Sequence, residues 1–181
     1  MKRVLVPIAP GFEEIEAVTI IDVLRRAGIE VVAAGTSAGP IEGSRGISVA
    51  VDELLENIDP ERFDMIAIPG GSQGVENLKN HPPVAALLSQ FKTQGKLLGA
   101  ICAAPSLLST MGLISGRQVT SHPSVKAQVA PSTVYSESRV VVDGKLVTSR
   151  GPGTAMEFSL KLVELLVGAE KVTELKAAMV V

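Results

Sequence analysis

A chain of 181 residues, 46% apolar and 20% charged, has the size and composition of one globular domain over residues 1–181 with a core of its own. Its 17 Lys and Arg against 19 Asp and Glu leave a formal charge of −2, too balanced for a grip on a phosphate backbone, which argues against a nucleic-acid partner. Apolar runs break within about ten residues, short of the roughly 20 a membrane helix needs, and Met1-Lys2-Arg3 leads into a strand-like run, so neither a membrane span nor a signal peptide is expected.

Val4 to Ala9 is a β-branched run closed by Pro10-Gly11. Ile15, Val18, Ile21, Val23, Leu24 and Ala27 then recur at near-helical spacing with Gly28 as the stop, which gives strand, turn, helix. Glu30 to Thr36 is a second apolar run. The punctuation at Gly39-Pro40, Gly43 and Gly46 sets off a short alternating segment, Ile47 to Val51. Met65 to Pro69 is a buried-type strand ending in Gly70-Gly71, and a helix is predicted from Pro82 to Thr93. Leu97 to Ile101 is the next strand, followed by Cys102 and by a helix that Pro105 opens and that runs through Leu108. Gln118 to Thr120 reads as a strand, and Val140 to Val142 with Leu146 to Ser149 read as a hairpin turning at Asp143-Gly144. Thr154 caps a long helix to Leu166, Gly168 ends it, and a short helix from Glu170 to Ala178 follows. Fully apolar strands alternating with amphipathic helices predict an α/β fold: a mostly parallel sheet, helices on both faces, right-handed crossovers.

Ligands of such sheets bind beyond the carboxyl ends of the strands, which directs attention to Pro10-Gly11, Gly70-Gly71, Cys102-Ala103 and Ser121-His122. Cys102 is the only cysteine, which excludes an intramolecular disulfide and a multi-cysteine metal site and makes a reducing compartment, by default the cytoplasm, the expectation. It falls at a strand-to-helix junction between the small residues Ala100, Ala103 and Ala104, the pattern of a nucleophile elbow that leaves its sulfur exposed. A helix N-terminus there would lower the thiol pKa. A free cysteine is also commonly a small buried hydrophobe, and spacing alone leaves both roles open. Gly70-Gly71 offers unshielded amides for an oxyanion, or is an ordinary turn. His122 is a candidate base or proton carrier, or a structural histidine; His81 reads as a helix-entry residue. Glu13, Glu14 and Glu16 crowd the first turn of the first helix as dipole complements, but Glu16 lies among Ile15, Ala17 and Val18, where a carboxyl tends to keep its proton and can donate a hydrogen bond to a thiolate.

Taken together, Gly11-Phe12-Glu13-Glu14-Ile15-Glu16-Ala17, Pro69-Gly70-Gly71, Ala100-Ile101-Cys102-Ala103-Ala104-Pro105, Ser121-His122-Pro123 and Thr148-Ser149-Arg150-Gly151-Pro152-Gly153-Thr154 resemble the ThiJ/PfpI superfamily. They match its short single-domain branch, the one with the parkinsonism-associated deglycase, from Arg3 to near the C-terminus. The resemblance implies a flavodoxin-like three-layer sandwich, a homodimer, no cofactor and no metal. It implies Cys102 as the reactive thiolate, Glu16 as the protonated carboxyl beside it, His122 nearby, and amides of Gly70, Gly71 and Ala103 around the sulfur. Protease-like branches place a histidine directly after the cysteine; Ala103 stands there instead, which disfavours a Cys-His protease dyad. The implied activity is on small reactive dicarbonyls or the protein groups they have glycated, as a glutathione-independent glyoxalase or deglycase. The alternative is an oxidative-stress sensor or holdase that works through oxidation of Cys102 without turnover.

Overall fold

The computed structural model describes residues 1–181. Its first half runs β1 (Arg3–Ile8), α1 (Glu14–Arg26), β2 (Glu30–Gly35), β3 (Ile41–Glu42), β4 (Ser48–Val49), β5 (Glu53–Leu54), β6 (Met65–Ile68), α2 (Ser72–Lys79) and α3 (Pro82–Thr93). Its second half runs β7 (Leu97–Ile101), α4 (Ala104–Thr110), β8 (Gln118–Val119), α5 (Lys126–Val129), β9 (Val134–Tyr135), β10 (Val140–Asp143), β11 (Leu146–Ser149), α6 (Ala155–Val167) and α7 (Ala169–Met179).

Seven strands form one sheet in the order β10-β11-β7-β6-β1-β2-β5. Every pair in it is parallel except the β10–β11 hairpin. Residues Val4 to Ile8, Met65 to Ile68 and Leu98 to Ile101 are all buried, because both faces of a parallel sheet are covered and polar alternation would strand polar groups in the core. α1 and α6 pack together on one face, with α7 against α6, while α2, α3 and α4 cover the other. This is the flavodoxin-like α/β architecture expected. No helix is long and apolar enough to cross a membrane.

The chain leaves β1 toward β2 and leaves β6 toward β7, so the order reverses between β1 and β6. The carboxyl ends of these strands and of β7 therefore open on one crevice, where backbone amides are left free of ladder partners.

Three expectations are corrected. α2 was not anticipated: its sequence SQGVENLK carries only two apolar side chains, Val75 and Leu78, and both are buried. β8 is not a strand of the main sheet but pairs in parallel with β9 in a separate two-stranded sheet. Thr154 occupies the position before α6, yet its hydroxyl does not cap the helix. It turns back to donate to the Gly151 carbonyl at 2.9 Å and to accept from the Gly151 and Arg150 amides at 3.1 and 3.2 Å.

Candidate active site

Cys102 stands between β7 and α4 with φ of +62°, a left-handed backbone that an L side chain adopts only under constraint. Hydrogen bonds on both sides supply it. The Cys102 amide donates to the Ser149 carbonyl at the end of β11 at 3.0 Å, and its carbonyl accepts from the His122 amide at 2.8 Å. The elbow expected from the small neighbours is present, but the sulfur is not exposed: Cys102 is 9% accessible. Ala103 and Gly70 close around it.

The three glutamates of the first turn do three different things. Glu13 caps α1, its side chain accepting from the Glu16 amide at 2.8 Å. Glu14 is buried beneath the β3–β4 turn. Burial raises its carboxyl's pKa, but bonds from the Arg45 amide and, at 3.1 Å, from the Ser44 hydroxyl outweigh this and hold it below the ordinary value. Glu16 is fully buried and its Oε2 accepts from the Gly70 amide at 2.7 Å. Its Oε1 is buried without a conventional partner.

The group coupled to the Glu16 carboxyl is the Cys102 thiol. Burial pushes Glu16 up to about 7, opposed by the Gly70 amide and the thiol. Burial likewise pushes Cys102 up to about 12, with the Glu16 charge and its acceptor oxygen adding to the rise, and the Gly71 and Ala103 amides pulling the other way. The expectation of a thiol below its ordinary value is therefore reversed, because desolvation exceeds what two amides at a helix start return. Protonating Glu16 removes both of its contributions.

Gly71 and Ala103 turn their amides toward the sulfur, as expected, whereas the Gly70 amide is occupied by Glu16. Gly71 has φ of +91°, and a Cβ there would lie 2.3 Å from the Gly11 carbonyl oxygen, so only glycine lets the turns after β1 and β6 meet.

His122 and Cys102 line the same cleft of about 320 Å³, with Arg45, Gln73, Ser124 and Pro152. The Ser124 amide donates to His122 Nδ1 at 3.2 Å, and the Ser124 hydroxyl lies 2.7 Å from the same nitrogen. An amide can only donate, so in the neutral imidazole the proton sits on Nε2. Arg45 and Ser124 escaped the sequence reading. Arg45 sits between Gly43-Ser44 and Gly46 in a turn carried to the cleft by Glu14, thirty-one residues away in sequence. Ser124 two residues after His122 is a legible side chain–backbone turn pattern. No group of three or more His, Cys, Asp or Glu converges as a metal site.

The model of the DJ-1/PfpI family matches residues 2–165. Protein dj-1beta of Drosophila melanogaster is 43% identical over 182 residues, covering 99% of this chain and 97% of the relative. The glutathione-independent glyoxalase DJR-1.2 of Caenorhabditis elegans is 40% identical over 164 residues, covering 90% and 87%. Protein DJ-1 homolog B of Arabidopsis thaliana is 45% identical over 181 residues, and there the chain spans 41% of the relative's length. The crystal structure of Drosophila DJ-1beta superposes with a TM-score of 0.96 at 42% identity, covering 99% of this chain and 98% of that one. Oxidised Toxoplasma gondii DJ-1 superposes at 0.94 with 43% identity and the same coverage. A family match over nine-tenths of the sequence, on the fold and elbow described above, makes this chain a member of the DJ-1/PfpI family.

Proposed function

We propose that the protein converts small reactive dicarbonyls, free or as early adducts on protein groups, to hydroxy acids with Cys102 as nucleophile and Glu16 as proton carrier. The observation that carries the reading is the pairing of a constrained elbow cysteine with a buried carboxyl whose pKa is raised to about 7, where a group both takes and returns protons at neutral pH. A relative of 40% identity bearing the name glutathione-independent glyoxalase supports it.

With methylglyoxal, Glu16 takes the thiol proton as the sulfur attacks the aldehyde carbon. The carbonyl electron pair moves to oxygen, which the Gly71 and Ala103 amides stabilise and which then receives that proton to give the hemithioacetal. Glu16, again a carboxylate, removes the hydrogen from the former aldehyde carbon. The electron pair moves onto the ketone oxygen, which accepts a hydrogen bond from the Nε2–H of His122, and an enediolate forms. The proton of the hydroxyl on the first carbon passes to the oxygen on the second, and Glu16 returns its own proton to the second carbon, leaving a lactoyl thioester. Water hydrolyses this to lactate and free thiol. Buried Oε1, unengaged by the backbone, is the oxygen available for these transfers.

The assembly that goes with this reading is a homodimer formed through α1. Ile15, Val18 and Ile47 are 58%, 46% and 58% exposed on α1 and beside β4, a concentration of large apolar side chains that a second copy would cover.

A second reading, a peroxide sensor or holdase, draws on the absence of any other cysteine to trap a sulfenic acid and on the solved oxidised relative. Glutathione-free lactate production from methylglyoxal separates the two. The enzyme reading predicts turnover lost in Cys102→Ala and sharply reduced in Glu16→Gln. Turnover unchanged in Cys102→Ala contradicts it.

A further inference from the structure

At the opposite end of the sheet lies a second cavity, of about 560 Å³, lined by Lys92, Lys96, Lys145 and Arg117 together with Leu98, Leu113 and Leu146. Lys96 precedes β7 directly, and Lys145 sits in the β10–β11 turn, whose Leu146 pairs with Leu98 at the start of β7; Cys102 follows the other end of that strand. The two sites are separated by the length of β7.

The charges in this cavity are unusual for the molecule. Lys2, Lys79, Lys126, Lys161 and Lys171 each pair with a carboxylate. The lysines that do not are Lys92, Lys96, Lys145 and Lys176, and the first three converge here. Each makes one hydrogen bond, to a neutral carbonyl: Lys92 to Leu113 at 2.8 Å, Lys96 to Pro60 at 2.5 Å and Lys145 to Gly95. An ammonium has three donors, so each keeps N–H groups to offer a ligand. In a chain of net charge −2, Lys92 and Lys145 have no carboxylate partner and Lys96 has only the field of Asp64, which Lys2 already pairs, so three cations sharing one concavity cost mutual repulsion that an anion would reduce.

The chemistry of the donors narrows the ligand. The planar fork of Arg117 is committed to Asp143, Nε at 2.9 Å from Oδ2 and Nη2 at 3.0 Å from Oδ1, so it is not free to grip a carboxylate side-on. What remains is a set of compact point charges, which suits a phosphate carrying more than one negative charge, with the lining leucines available to an apolar portion. We infer that this cavity binds a small phosphorylated anion, independently of the cysteine site and of the activity proposed for it.

Calorimetric titration of the full-length protein with inorganic pyrophosphate at low ionic strength tests this. The expected result is saturable binding of one pyrophosphate per chain, weakened about tenfold or more in Lys92→Gln/Lys145→Gln and weakened by added salt. Lys176→Gln, which removes an unpaired lysine elsewhere, and Cys102→Ala should bind as the unaltered protein does. Citrate should bind more weakly than pyrophosphate. No saturable binding, equal weakening by Lys176→Gln, or citrate binding at least as tightly would each overturn the assignment. The exposed lysine substitutions leave the core intact, and a thermal melt of the double variant matching that of the unaltered protein confirms that lost binding is not lost folding.

Discussion

The Gly70 amide meets the Glu16 carboxyl at 2.7 Å, and a Cβ at that same glycine would stand 2.6 Å from the Cys102 Cβ. One residue without a side chain thus presses the carboxyl and the thiol together. Gly70→Ala must push them apart and should cost about 1–3 kcal/mol of stability through overpacking, while slowing alkylation of Cys102. Urea unfolding and iodoacetamide kinetics on the same variant check both; an unchanged alkylation rate would mean the contact does not set the sulfur's reactivity.

Stability should carry the signature of Glu16. Its carboxyl titrates at the ordinary 4.5 when unfolded and at about 7 when folded, so the native state holds more protons between these values. Its favourable contribution is complete below about 4.5 and is lost as pH rises through about 7, by up to about 3 kcal/mol. Glu16→Gln abolishes that slope. Denaturant melts across this window should show the variant gaining relative to the unaltered protein as pH rises; parallel curves would contradict the shift.

His122 should be held as one tautomer. With Nδ1 accepting from the Ser124 amide, nitrogen NMR of the neutral imidazole should show the proton on Nε2. Ser124→Ala keeps the amide but loses the hydroxyl 2.7 Å from Nδ1, so the tautomer should persist while turnover falls. A proton on Nδ1 would remove His122 from the donor role.

Val18→Arg places a charge at the centre of the exposed apolar face of α1 and should convert a dimer to a monomer in sedimentation at micromolar concentration, with the fold intact. A monomer in the unaltered protein would remove that surface as an interface.

Much of this site was legible because strand ends in a parallel sheet carry the chemistry: Cys102 after an apolar run and before Pro105 places it without any structure. What escaped depends on contacts distant in sequence. The β3–β4 turn reaches the cleft only because Glu14 binds it from α1, and no local pattern around Arg45 records that. α2 stayed hidden because Gly74 lowers helix propensity and two apolar residues make no clear period. The direction of the Cys102 shift differs from the one its sequence suggests, for a physical reason. The helix terminus was visible in sequence, but the depth of burial of the sulfur and of Glu16 was not.

Cys102 and Glu16 share a proton whose position sets the sulfur's nucleophilicity in the proposed reaction. The most direct measurement is the rate of iodoacetamide alkylation against pH, unambiguous in a protein with one cysteine. The unaltered protein should show a step in rate near 7, where Glu16 becomes able to accept the thiol proton. In Glu16→Gln that step should vanish and the rate should rise only in the alkaline range. Superimposable profiles for the two proteins would contradict it.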